Sequence, residues 1–277
     1  MAAKTVLNYL PRKSVVHALT GTTKFIFFLL FSFTIMLTYD TRIIVVLLLL
    51  SFLFLRLSHI RIKEIRFMFH FLLIFIAMNT ILLFIFNPEH GPELYQSRTV
   101  LFHIAGKYDM TAEQLFYELN VALKYLCSLP IAILFISATD PSEFASSLNS
   151  IGVSYRIGYA VALALRYIPD IQRDYRNISQ AQQARGVELG KNVKLWHRVK
   201  NSVNILLPLV ISSLNRIDVI SNAMELRSFG QNKNRTWYTS RKMKKGDFIA
   251  IGLGIIILIV STVITYWDGN RYYNPFI

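Results

Sequence analysis

The chain has a single cysteine, Cys127, set inside an apolar segment. One thiol excludes an intramolecular disulfide and any cysteine-cluster metal site. Acidic residues are scarce, 16 Asp and Glu against 30 Lys and Arg, for a formal charge of +14. The apolar runs hold no paired carboxylates, the groups that intramembrane proteases and proton relays use. The six histidines, His17, His59, His70, His90, His103 and His197, are scattered without metal-ligand spacing. His70, inside an apolar run, reads as a structural histidine. No glycine-rich phosphate loop occurs, so the chain is expected to bind neither ATP nor any other cofactor, and no metal.

What the chain has in abundance is apolar sequence: 53% of its 277 residues are hydrophobic. Leu, Ile and Phe concentrate in blocks, which points to an integral membrane protein. The basic excess reads as charge retained on the cytoplasmic side beside anionic lipid. With no recognition motif beside that charge, nucleic acid is excluded as a partner. Lys4, Arg12, Lys13 and Lys24 precede the first run, 25–38, which is expected to be retained as a signal anchor. A second run covers 43–55. Both are short for a span, and flanking Lys24 and Arg56 are expected to snorkel and lengthen them. A re-entrant hairpin is the alternative.

The basic loop 56–66, with Arg56, His59, Arg61, Lys63 and Arg66, predicts a cytoplasmic location and an N-terminus inside. A third span, 67–86, ends at Asn87-Pro88. Residues 87–111, with Arg98 and Lys107 against Glu89, Glu93 and Asp109, suit an outside loop. Thr111 with Gln114 forms a capping pattern at the start of the fourth span, 112–137. Lys124, near its middle, is expected to face protein or water. The last span, 248–267, ends in an aromatic belt of Trp267, Tyr272 and Tyr273, with the C-terminus outside.

Between 138 and 245 the character changes. Asp140-Pro141-Ser142-Glu143 is a helix start, and Phe144, Leu148 and Ile151 share one face of a short amphipathic helix ending near Gly152. Ser154 is placed to cap a long helix over 155–187, with Gly186 and Gly190 as stops. A second long helix covers 196–229. Each is roughly 50 Å long, and each contains a proline, Pro169 or Pro208, where a kink is expected. Asp170 and Asp174 are expected to pair locally with Arg173. Arginines interrupt both helices, so they are expected to lie partly embedded on the cytoplasmic side; tilted full spans are the alternative.

The predicted fold is therefore all-α and polytopic, with about five transmembrane helices and a cytoplasmic-side helical region with two long crossing helices. Its domains are expected at 1–137, 138–246 and 247–277.

Two motifs close the long helices: Ala181-Gln-Gln-Ala-Arg185-Gly186 and, 42 residues on, Ala223-Met-Glu-Leu-Arg227-Ser228. Each sets an arginine in the last turn, where positive charge complements the helix dipole. With His17-Ala-Leu19, Lys24, Asp140-Pro141 and Arg166-Tyr-Ile-Pro169, these motifs make most of the chain resemble the transmembrane coupling (T) component of energy-coupling-factor (ECF) transporters, the EcfT/CbiQ-like family. The Ala-Arg-Gly signature is intact at Ala184-Arg185-Gly186. It departs at Leu226-Arg227-Ser228, which keeps only the arginine. The resemblance implies a non-catalytic subunit of an ATP-driven vitamin or metal-ion importer in a prokaryotic plasma membrane. Its partners would be two ABC-type ATPase subunits, which bind ATP and Mg, and a small substrate-binding membrane protein, the S component. Arg185 and Arg227 would dock into the ATPases, with Ala181, Ala184 and Gly186 narrowing one tip. Ala223, Met224, Glu225 and Phe229 would support the other. The alternatives are a polytopic membrane enzyme and a conventional ABC permease with its own substrate path.

Overall fold

The computed structural model describes residues 12, 14–60, 62–105, 108–187, 195–231, 237, 241–267 and 271–276, without the side chains of 62–64, 104, 105, 195 and 197–200. The expectations placed on Lys4, Lys13, Arg61, Lys107 and Gly190, and on the side chains of Lys63 and His197, lie outside these residues. In chain order the elements are α1 (Val15–Ala18), α2 (Gly21–Leu37), α3 (Thr41–Leu57), α4 (Ile62–Phe86), α5 (His90–Tyr95), β1 (Val100–Ala105), β2 (Tyr108–Thr111), α6 (Ala112–Ala138), α7 (Pro141–Ser150), α8 (Tyr155–Ala184), α9 (Leu195–Leu226) and α10 (Lys245–Trp267). The fold is all-α and polytopic. Ile65–Phe86, Ala112–Ala138, Asn201–Leu226 and Lys245–Trp267 are long and apolar enough to cross a membrane, and Gly21–Leu37 is a shorter apolar helix. By length and composition α9 thus qualifies as a span, the alternative raised for it from sequence. Its neighbour α8, interrupted by Arg156, Arg166, Arg173 and Arg176, does not.

The described residues form two compact units, one from Pro141–Ser240 and one from Tyr9–Asp140 with Arg241–Ile277. In the second, α6 packs on α2, α3 and α4, and α10 packs on α2. Phe31, Ile35, Ile43, Leu47, Cys127 and Ile131 form its core, and a second cluster gathers Leu55, Ile60, Ile65, Ile133 and Leu134. Cys127 is fully buried there, a small apolar filler. The 17 residues of α2 and of α3 reach about 25 Å each, less than a bilayer core of about 30 Å. The outward side of α4 is apolar, with Phe67, Phe71, Ile74 and Phe86 exposed, as a lipid-facing helix requires.

Several local expectations are corrected. Lys24 does not snorkel: it is buried, and its Nζ donates to the Ala138 carbonyl at 2.7 Å. The stretch 87–111 is not a plain loop. It carries α5 and the antiparallel hairpin of β1 and β2. Side chains at the start of α6 organise it: Glu113 accepts from the Thr99 N–H and the Ser97 hydroxyl, and Gln114 Oε1 accepts from the Gly91 N–H at 2.8 Å. Any Cβ at Gly91 would meet the Gln114 backbone at 2.5 Å, so only glycine permits that approach. Thr111 does accept from the Gln114 N–H as N-cap of α6. Ser154 stands at the N-cap of α8 but makes no side-chain cap bond. On α7 the buried residues are Glu143, Ala145, Ser146 and Ser147, while Ile151 is exposed. Lys124 faces protein: its amine lies over the Tyr39 ring and donates to the Met36 carbonyl. His70 Nδ1 bonds the Arg66 carbonyl one turn back, a structural contact.

Candidate functional site

The Pro141–Ser240 unit is built from α7, α8 and α9. Helix α7 begins with Pro141, whose missing N–H costs nothing at the first helical position. It meets α8 closely because Gly158 has no side chain: a Cβ there would sit 3.2 Å from the Ala145 carbonyl. Trp237 lies over the same spot, its indole N–H donating to Asn149 Oδ1 at 3.1 Å.

The two arginine motifs end their helices by one device. At the first, Arg185 is the C-cap and Gly186 follows at φ 88°. The Gly186 N–H donates to the Gln183 carbonyl and the Val187 N–H to that of Gln182, both at 3.0 Å. At the second, Arg227 takes the same place and Ser228 follows at φ 54°. The Ser228 N–H donates to the Glu225 carbonyl at 2.9 Å and the Phe229 N–H to that of Met224 at 3.0 Å. Both are Schellman caps with arginine at the last residue before the left-handed turn. Each arginine therefore stands one residue beyond the helix rather than in its last turn. Gly186 is needed for its backbone angle, since nothing lies within 4 Å of a Cβ built there.

Ala181, Ala184, Arg185 and Gly186 are exposed, as are Ala223, Glu225, Leu226, Arg227 and Ser228. Leu226 is 88% exposed, a large apolar residue left open at a helix tip. Phe229 is committed within the chain. Its ring lies 5.5 Å from that of Tyr155 and 4.6 Å from that of Tyr159, and Trp237 joins both tyrosines. The Arg156 guanidinium holds the Gly230 carbonyl at 3.1 Å.

These contacts set the course of the pair. The end of α9 lies at the start of α8, and further along Arg216 bonds Asp174 at 2.6 Å. Residue numbers rise on α8 as they fall on α9, so the helices run antiparallel. Arg227 sits at the first turns of α8, and Arg185 closes its far end, roughly 40 Å away along the axis. Asp174 thus pairs across to α9 rather than with Arg173. Asp170 keeps Arg173, at an exposed 3.8 Å. Pro169 and Pro208 lie inside continuous helices, each removing one backbone donor. Between the helices a cavity of about 350 Å³ is lined by Leu163, Tyr167, Ile171, Ile217, Ile220 and Met224, among others. The sequence reading missed the aromatic clamp and the cross-helix ion pair. The signal for the first was the crowding of Tyr155, Tyr159, Phe229 and Trp237 at the ends of the two helices.

The family model of CbiQ, described as a cobalt transport protein, matches residues 12–238, through both tips. The chain belongs to the CbiQ family. Several of its relatives are energy-coupling factor transporter transmembrane proteins, EcfT. That of Streptococcus equi is 26% identical over 262 residues, 90% of this chain and 92% of the relative. The Clostridium kluyveri protein is 32% identical over 163 residues, 58% of each chain. The Staphylococcus aureus protein is 25% identical over 271 residues, 94% of this chain and 96% of the relative. As a CbiQ/EcfT family member the chain is a transmembrane component of an ECF-type transporter, a non-catalytic and multi-pass protein of the prokaryotic plasma membrane.

Proposed function

We propose that this chain is the coupling subunit of an ECF importer, passing the motion of two ABC-type ATPases to a separate substrate-binding membrane protein. The observation that carries this reading is the identical capping of the two helix ends. Two motifs of different sequence place an exposed arginine at the same structural position, at opposite ends of an antiparallel pair. That suits two similar grooves, one on each ATPase. Arginine fits such a contact because its planar fork makes several directed hydrogen bonds and keeps its charge. ATP and Mg belong to those partners. The partner that holds the substrate, a vitamin or a transition-metal ion, sets specificity. The exposed apolar side chains of α9 and the cavity beside Met224 give a membrane partner apolar surface to rest on. The N-terminus and residues 138–245 lie on the cytoplasmic side, with α9, although long and apolar enough to span, partly embedded along it so that both arginine tips reach the ATPases.

The test reverses each charge. Arg185→Glu and Arg227→Glu are expected to weaken co-purification with the ATPases and to reduce ATP-driven uptake, with membrane insertion unchanged. Loss of an arginine-centred contact at a partly desolvated interface costs on the order of 2–5 kcal/mol. Glutamate at the helix end adds about 0.3–1 kcal/mol through the dipole. The first effect dominates, so Gln impairs coupling as well, though less. Charge reversals that assemble and transport like the parent would reduce both arginines to ordinary helix-end charges.

A further inference from the structure

The β1–β2 hairpin has two unlike faces. Residues opposite one another in an antiparallel pair share a face, and successive residues of a strand alternate between faces. Phe102 stands opposite Met110, and His103 opposite Asp109. The first pair therefore lies on one face, continued by Tyr108, and the second pair on the other. The Phe102 face is apolar and open: Phe102 is 69% exposed, and Tyr108 and the neighbouring Leu101 are exposed as well. The His103 face is charged. Asp109 bonds His103 Nδ1 and accepts from the Arg98 guanidinium at 2.9 Å.

The hairpin is fastened beside the end of α4 at two points. The Tyr108 ring lies 6.2 Å from that of Phe84. Arg98, which holds Asp109, also holds Glu89 at 3.1 Å, three residues past the end of α4. The 22 residues Ile65–Phe86 reach about 33 Å, enough to cross a bilayer core of about 30 Å. Phe84 and the 81% exposed Phe86 therefore stand at the boundary between hydrocarbon and headgroups, and the hairpin stands level with them. Its apolar face joins the exposed apolar side of α4 through the Phe84–Tyr108 contact. Two opposing demands fix its depth. Each strand of a two-stranded sheet keeps one unpaired edge, whose N–H and C=O groups are costly in hydrocarbon. Bulk water, in turn, leaves Phe102 bare. The headgroup boundary meets both demands, with water for the edges and the charged face and acyl chains for the apolar one.

We propose that the β1–β2 hairpin is a membrane-interface anchor, resting its Phe102 face on phospholipid where α4 meets the headgroups and turning its His103–Asp109 face to water. Anchors at this level set the depth and tilt of a span. The span held here is α4, which packs on α6 and leaves most of its side chains outside the bundle.

The test uses the full chain, with the subunits that co-purify with it, in nanodiscs of phosphatidylcholine and phosphatidylglycerol. Single nitroxides are placed at Phe102→Cys, Tyr108→Cys and His103→Cys in a Cys127→Ala background. Their collision rates are measured with oxygen, which concentrates in lipid, and with a water-soluble nickel chelate. Phe71→Cys on α4 supplies the lipid reference and Gln96→Cys the water reference, both at exposed positions. The oxygen-to-nickel ratio is expected to be several-fold higher at Phe102 and Tyr108 than at Gln96, and to stay below that at Phe71. His103 is expected to match Gln96. Tyr108→Cys keeps Phe102 in place, so the two labels perturb the ribbon differently. A lipid-like ratio at either one upholds the anchor, since a loosened ribbon moves toward water and not toward lipid. No lipid-like ratio at either position overturns it: nickel access at the level of Gln96 puts the face in water, and protection from both reagents puts protein over it. A ratio at His103 equal to that at Phe102 overturns the two-faced placement and the anchor with it.

Discussion

Ser228 holds a left-handed backbone, φ 54°, that glycine adopts without strain. At the matching place in the first motif the residue is Gly186, at φ 88°. A side chain in that region costs roughly 1–2 kcal/mol, partly offset because glycine loses more freedom on folding. Ser228→Gly is therefore expected to stabilise the chain by about 0.5–1 kcal/mol, read as a higher thermal midpoint. Gly186→Ala should destabilise the chain by about 0.5–1 kcal/mol on the same reckoning and lower the midpoint. If Ser228→Gly lowers the midpoint, the serine is held by something other than the shared cap. The departure from Ala-Arg-Gly to Leu-Arg-Ser was plain in the sequence. That it leaves the hydrogen-bond pattern intact was not, because the pattern depends on a backbone angle and not on side-chain identity.

Among the elements, the end of α9 is fastened to the start of α8 by rings. Aromatic pairs contribute about 0.5–1.5 kcal/mol each beyond burial, and Phe229 makes two of them. Phe229→Ala should free the second tip, costing on the order of 2 kcal/mol for a half-buried ring. The expected outcome is weaker ATPase co-purification, with proteolysis near Arg227 increased and near Arg185 unchanged. Equal sensitivity at both arginines would mean that the clamp is not local to one tip. A second fastening lies at the C-terminal end. Arg271 donates to the Met36 and Leu37 carbonyls that close α2, Asn274 donates to the Tyr95 carbonyl, and Phe276 packs on Tyr95 and Phe116. Burial in this cluster pushes the Tyr95 phenol up to about 12. Truncation before Arg271 removes these contacts and is expected to lower the thermal midpoint and expose Tyr95 to modification. A truncated chain with an unchanged midpoint would show the strap to be dispensable.

For the whole molecule, the testable quantity is topology. In a Cys127→Ala background, cysteines at Gln180 and Gln231 are expected to resist impermeant maleimide in intact cells, and one at Gln96 to react. All three positions are exposed. Labelling of Gln180→Cys from outside would invert the orientation and remove the arginine tips from the reach of cytoplasmic ATPases. The apolar runs, the helix starts at Thr111 and Pro141 and the stops at Gly152 and Gly186 were legible in the sequence. Each depends on residues within one turn of one another, so local composition determines them. The all-α class and the family followed from the same local signals. Tertiary structure alone decided that Asp174 serves Arg216 rather than Arg173, and that Lys24 is buried rather than snorkelling. It alone decided that residues 97–114 organise a hairpin, and that the two arginines stand at opposite ends of one antiparallel pair. Those outcomes depend on which distant groups arrive at the same place. A charge or a ring takes the partner that burial brings to it, and that partner stands 42 residues away for Asp174 and 114 for Lys24.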